Sequence, residues 1–150
     1  MMTKKDFGAF ILLVSDDPRD LFWYFNTSEL HGLNFEDCCR RIQEGGSYID
    51  GMSNISPIHN KPFIFLNKKT MCELPLWKTA LLISHEAMHC VLHLHEQHFE
   101  KTQFKDFWKM EENLIQGAED ISIRICEELD FPDIYLLLKP KQQVCKICQN

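Results

Sequence analysis

Residues 106–129 place Phe107, Leu114, Ala118, Ile121 and Ile125 on one stripe at helical spacing, and the pattern stops before Pro132. Upstream, Pro75 sits where a helix can begin, and residues 76–99 continue without a turn residue, which predicts another long helix. A loop around Lys101, Thr102 and Gln103 separates the two. Pro62-Phe63-Ile64-Phe65-Leu66-Asn67 differs in kind: β-prone and bounded by turn residues, it is the best strand candidate in the chain. Nearer the N-terminus, residues 7–14 and 21–25 form two apolar segments divided by Pro18, with Asp16 or Asp17 placed to cap the second. Both read as packed helices, although the first run also fits a buried strand. Asn34 is placed to cap a short helix through Phe35, Cys38, Cys39 and Ile42, ended by Gly45-Gly46. Residues 47–61 lack periodicity and read as loop or short strand, and residues 134–138 form a last apolar run before a polar tail.

At 150 residues the chain is long enough for one domain with a substantial core, here residues 1–139, followed by the tail 140–150. Asp and Glu exceed Lys and Arg to give a net charge of −6, with no basic stripe, so nucleic-acid binding has no electrostatic support. The longest apolar run is far too short to span a membrane. Lys4 and Lys5 before it imitate a secretion signal, but Asp6 breaks the charge pattern and Ser15-Asp16-Asp17-Pro18 offers no cleavage site. The expectation is a cytoplasmic protein. Of seven cysteines, Cys38, Cys39, Cys72, Cys90 and Cys126 lie in apolar or helical stretches and read as buried free thiols. Cys145-x-x-Cys148 has a metal or redox spacing, yet supplies only half of a four-ligand zinc site.

The chemistry concentrates in His85-Glu86-Ala87-Met88-His89. On a helix, residues four apart share a face, so the two imidazoles stand together, able to hold one divalent metal, most plausibly zinc. Glu86 lies beside them as a general base. Such a pattern arises by chance in roughly one chain in forty of this composition. The flanking Ser84, Ala87, Met88 and Cys90 are uncharged, as a metal-bearing core helix requires. Cys90 projects about 100° away from His89, so a cysteine nucleophile has no support.

A catalytic zinc needs a third protein ligand, and three residues compete. His95 stands ten residues after His85, the spacing of the longer metzincin motif. That motif uses a Gly to turn its last His back, where this chain has Leu92. On a continuing helix His95 would face about 240° round from His89. Glu119 with Ser122 echoes the Glu-x-x-Ser of gluzincins, with Ala118 and Ile123 in place of the flanking Asn and Asp. Asp120 stands in Ala118-Glu119-Asp120-Ile121-Ser122-Ile123-Arg124, which resembles the Ala-x-Asp-x-x-Ile-Asn segment of a metallopeptidase family of bacteria and phages associated with von Willebrand A-like domains. In that family the His-Glu-x-x-His motif also follows a strand ending in Asn, the place of Asn67 here. Arg124 and Gln116 depart from the family's asparagines. On the helical wheel Glu119 flanks the apolar stripe and Asp120 lies on its far side. Burial of one face alone favours Glu119, and a sandwiched helix admits Asp120.

The resemblance implies an α+β, zincin-like fold: a short sheet containing Pro62–Asn67, an active-site helix beneath it and a second long helix carrying the third ligand. It implies a zinc-dependent peptidase, endopeptidase rather than exopeptidase, with His85, His89 and Asp120 on the metal and Glu86 as base. The strand beside the metal helix would be an open edge that receives an extended peptide. A von Willebrand A-like partner protein belongs to the same expectation. His93, His95 and Arg124 are candidates to stabilise the transition state, whereas His31, His59 and His98 sit in polar surroundings and read as surface. The alternative is a metal-stabilised binding or regulatory protein without catalysis.

Overall fold

β1 (Thr3–Asp6) and β2 (Ile11–Ser15) form an N-terminal hairpin, followed by α1 (Arg19–Phe25), a small hairpin of β3 (Glu29–Leu30) and β4 (Leu33–Asn34), and α2 (Phe35–Gln43). β5 (Gly51–Ile55) and β6 (Pro62–Asn67) come next, then α3 (Lys68–Glu73), α4 (Leu76–Phe99) and α5 (Phe107–Glu128). The computed structural model describes residues 1–46, 49–99 and 107–131. The loop at 101–103, the apolar run at 134–138, the tail 140–150 with Cys145 and Cys148, and the side chain of His98 lie outside the described residues.

The sheet has the order β1-β2-β6-β5, with β2 parallel to β6 and the two outer pairs antiparallel. β2 and β6 pair from Ile11 with Phe63 to Ser15 with Asn67, and every residue of both is buried. Ile11, Leu13, Phe63 and Phe65 pack against α1 and α2, whereas Leu12, Val14, Ile64 and Leu66 pack against α4 and α5. Each such side chain contributes about 1.5–3 kcal/mol by leaving water. This two-sided burial explains a correction: residues 7–14 are not a helix, and 11–15 form a strand. A parallel strand covered on both faces needs no polar alternation, so its sequence carries no strand rhythm. The class is α+β, with a small mixed sheet between helical layers.

α4 buries Ala80, Ile83, Ala87, Cys90 and Val91 under the sheet. α5 closes against its flank, where Gly117 lies so near Val91 that an added Cβ would sit 3.2 Å from Val91 Cγ2. Asn34 caps α2 as its sequence indicates, its Oδ1 accepting from the Glu36 and Asp37 amides at 2.8 and 3.3 Å. Of the five described cysteines, Cys38, Cys90 and Cys126 are buried, Cys39 is half-buried and Cys72 is exposed. Among the described residues no helix is long and apolar enough to cross a membrane.

Candidate functional site

The inward face of α4 is fixed by its apolar residues, and that fixes where its histidines point. His85 and His89 emerge on the exposed face, rings T-shaped with centroids 4.7 Å apart, and Nε2 to Nε2 is 3.1 Å. In a tetrahedral zinc site two imidazole nitrogens lie about 3.3 Å apart, so the pair fits one divalent cation with little adjustment. Burial, together with the neighbouring His85 and His93, holds the His89 imidazole below its usual value. It is thereby kept in the neutral form that a metal requires.

Glu86 points the other way, into the contact between α4 and β5, and is 5% exposed. Its side chain packs on Gly51, where an added Cβ would lie 3.0 Å from both Cγ and Oε1. Desolvation raises the carboxyl to about 7, the range in which a group takes and returns a proton near neutrality. A cleft of about 680 Å³ opens beside it, with His31 and Leu33 on one wall, Gly51 and Met52 on the floor, and His85 and Glu86 on the other wall.

The floor of this cleft is the free edge of the sheet. Asn67 N–H donates to Asp50 O at 2.9 Å and Ser56 N–H to Lys61 O at 2.8 Å. In an antiparallel pair these ladder bonds alternate, so Asp50, Met52, Asn54 and Ser56 face β6 while Gly51, Ser53 and Ile55 turn their backbone groups outward. Asn67, the strand-ending asparagine, has a local role in this arrangement. Its Nδ2 donates to Ile49 O at 2.9 Å and its Oδ1 accepts from the Lys69 and Thr70 amides, tying the approach to β5 to the start of α3. Ser53 Oγ, on the α4-facing side of β5, is buried and finds no hydrogen-bond partner among the described residues.

Residues 47–61, read as loop or short strand, contain the five-residue β5, and His31 lies at the surface as expected; what the sequence does not indicate is that both line the cleft. His31 is exposed, but it sits at a hairpin turn with φ 47°, next to Gly32 at φ 83°, and its ring nitrogen donates to Ile55 O at 2.8 Å. The signal was Leu30-His31-Gly32-Leu33, a two-residue loop ending in Gly between apolar residues, which is the pattern of a type I′ hairpin.

The third ligand is where sequence and geometry part. α5 buries Ala118, Ile121, Ser122, Ile125 and Cys126 and leaves Glu119 and Asp120 exposed. Asp120 projects about 200° round the helix from Ala118. On α4, Val91, which meets α5, projects about 120–160° from the two histidines. Among the described residues no group of three His, Cys, Asp or Glu side chains is placed to hold a metal ion. Ser122 Oγ donates to Ala118 O at 2.7 Å, a bond within its own helix. α4 continues unbroken past Leu92, and the His95 ring donates to Val91 O at 2.9 Å. His93 is half-buried and Arg124 exposed. Burial pushes the Cys90 thiol up to about 12, an inert group. The chain matches no family model, no curated protein and no solved structure.

Proposed function

We propose that this protein is a zinc-dependent peptidase whose reacting groups are His85, His89 and Glu86 and whose substrate is an extended peptide. The observation that carries the reading is the pairing of two imidazole nitrogens 3.1 Å apart with a desolvated carboxyl one residue away, at the open edge of a sheet. His85 and His89 would hold the metal, which supplies Lewis-acid polarisation of a carbonyl and acidifies a water. Glu86 accepts the proton of the attacking water and returns it to the departing amine. The edge of β5 orients the peptide through backbone hydrogen bonds. The third ligand implied by the family resemblance is Asp120; an Asp120→Ala variant that retains full zinc affinity removes it from the site. A cytoplasmic location and a partner with a von Willebrand A-like domain belong to the same reading.

The test is a Glu86→Gln variant, which leaves both imidazoles in place. It should retain the zinc content of the native chain by elemental analysis and lose about 10²–10⁴-fold in peptide hydrolysis. Unchanged hydrolysis would remove Glu86 from the reaction, and a native chain that takes up no zinc would end the proposal.

A further inference from the structure

The free edge of β5 is shorter than the strand. Gly51, Ser53 and Ile55 all turn outward, yet at Ile55 both backbone groups are already taken. Its N–H donates to Asn54 Oδ1 at 2.9 Å, and its C=O accepts from the His31 ring at 2.8 Å. The His31 ring also lies against Phe63, with centroids 6.3 Å apart, so the hairpin turn is clamped over that end of the edge. Among the described residues the other two outward positions, Gly51 and Ser53, carry no such plug. Gly51 is the one beside Glu86.

We infer that His31 is a specificity-determining stop, which leaves two ladder positions, Gly51 and Ser53, for an extended peptide and ends its run at Ile55. From Gly51 to Ile55 the strand covers about 13 Å, room for roughly four peptide residues between the reacting groups and the stop. A peptide added antiparallel to β5 has its N-terminal side toward His31. The favoured substrates are therefore peptides with only a few residues on that side of the cleaved bond, not the interior of long extended chains. This changes the expected endopeptidase into a protein that trims short segments. It rests on the peptidase reading above, but the stop has its own observable.

The experiment is amide-resolved NMR of the full chain, titrated with acetylated alternating Thr-Val peptides of about two to eight residues. In the native protein the Gly51 and Ser53 amide signals should shift, the Ile55 signal should stay, and affinity should stop rising beyond about four residues. A His31→Gly, Asn54→Ala variant frees both Ile55 groups, and glycine tolerates the positive φ of the turn. In that variant Ile55 should shift too, and the longest peptide should bind about tenfold tighter than the four-residue one, as two further hydrogen bonds would give. Absence of shifts at Gly51 and Ser53, a native Ile55 signal that moves with them, or a length limit unchanged in the variant each overturns the stop. Shifts without hydrolysis of any peptide leave the stop standing and end the peptidase reading. Hydrolysis without shifts does the reverse.

Discussion

Gly51 and Glu86 are in contact across the β5–α4 junction so closely that the strand residue has no room for a side chain: a Cβ there would lie 3.0 Å from Glu86 Cγ and Oε1 and 3.1 Å from Leu82 Cδ1. Gly51 thus lets a carboxyl lie flat against the sheet edge, away from solvent, with its proton affinity raised. Gly51→Ala should push Glu86 into the cleft. Overpacking costs about 1–3 kcal/mol, measurable by urea denaturation. Zinc affinity should be unchanged, because the atoms nearest the new methyl belong to Glu86 and Leu82 and not to an imidazole, whereas hydrolysis should fall by about 10²-fold. A variant with native activity would show that Glu86 works equally well from another position.

Removing the metal should leave the fold intact. The histidine pair sits on the exposed face of α4, while Ile83, Ala87, Cys90 and Val91 hold the helix in the core without it. Zinc then stabilises only by mass action, about 2.7 kcal/mol at a hundredfold excess over its dissociation constant. Chelation should abolish hydrolysis and lower the melting temperature while circular dichroism stays native. Unfolding on chelation would favour the alternative of a metal-stabilised binding protein. His85→Ala should have the same effect as the chelator on zinc content.

The two long helices and β6 were legible in the sequence because each carries its own signal: a turn-free run after Pro75, a stripe ending before Pro132, a β-prone block between turns. β1 and β5 carry none. Thr3-Lys4-Lys5-Asp6 and Gly51-Met52-Ser53-Asn54-Ile55 are edge strands, extended because β2 and β6 offer them a ladder. The His85, Glu86, His89 set could be read because it is local to one helix. His31 and Gly51 could not, since only tertiary structure brings them to the cleft. Asp120 shows the converse: a motif in the right sequence context lies on the exposed side of a helix whose other face is buried.

Asp17 should make the protein lose stability in acid. Its carboxylate accepts from Arg19 Nη2 at 2.7 Å, from Nε at 2.9 Å and from the Arg19 amide at 2.9 Å. The Arg19 side chain is the chief reason its carboxyl lies below the usual value. A carboxyl with a depressed folded value adds stability that is present above its unfolded value, about 3.9, and is lost as pH falls through the folded one. The pair is partly exposed, so screening limits it to about 0.5–1 kcal/mol. Asp17→Asn should lower stability at pH 7 by that amount, and the difference from the native chain should vanish near pH 2. A constant difference across that range would mean that the lost group acts by packing and not by charge.

Gly117 and Val91 set the distance between α4 and α5, and two effects compete when Gly117 gains a side chain. Alanine in a helix is worth about 0.8–1 kcal/mol over glycine. Against this, the new Cβ would stand 3.2 Å from Val91 Cγ2 and 3.4 Å from Cγ1. Val91 is 1% exposed, and a β-branched residue in a helix has essentially one rotamer, so it has no way to turn aside. Crowding should win: Gly117→Ala should destabilise by about 0.5–1 kcal/mol in denaturant melts, and Gly117→Val by about 1–3 kcal/mol. Val91→Ala alone leaves a cavity, but in the double variant with Gly117→Ala the new methyl enters that space and the propensity gain is released. The double variant should therefore be more stable than the sum of the single effects by about 1 kcal/mol or more. Additive effects would show that the helices shift apart freely.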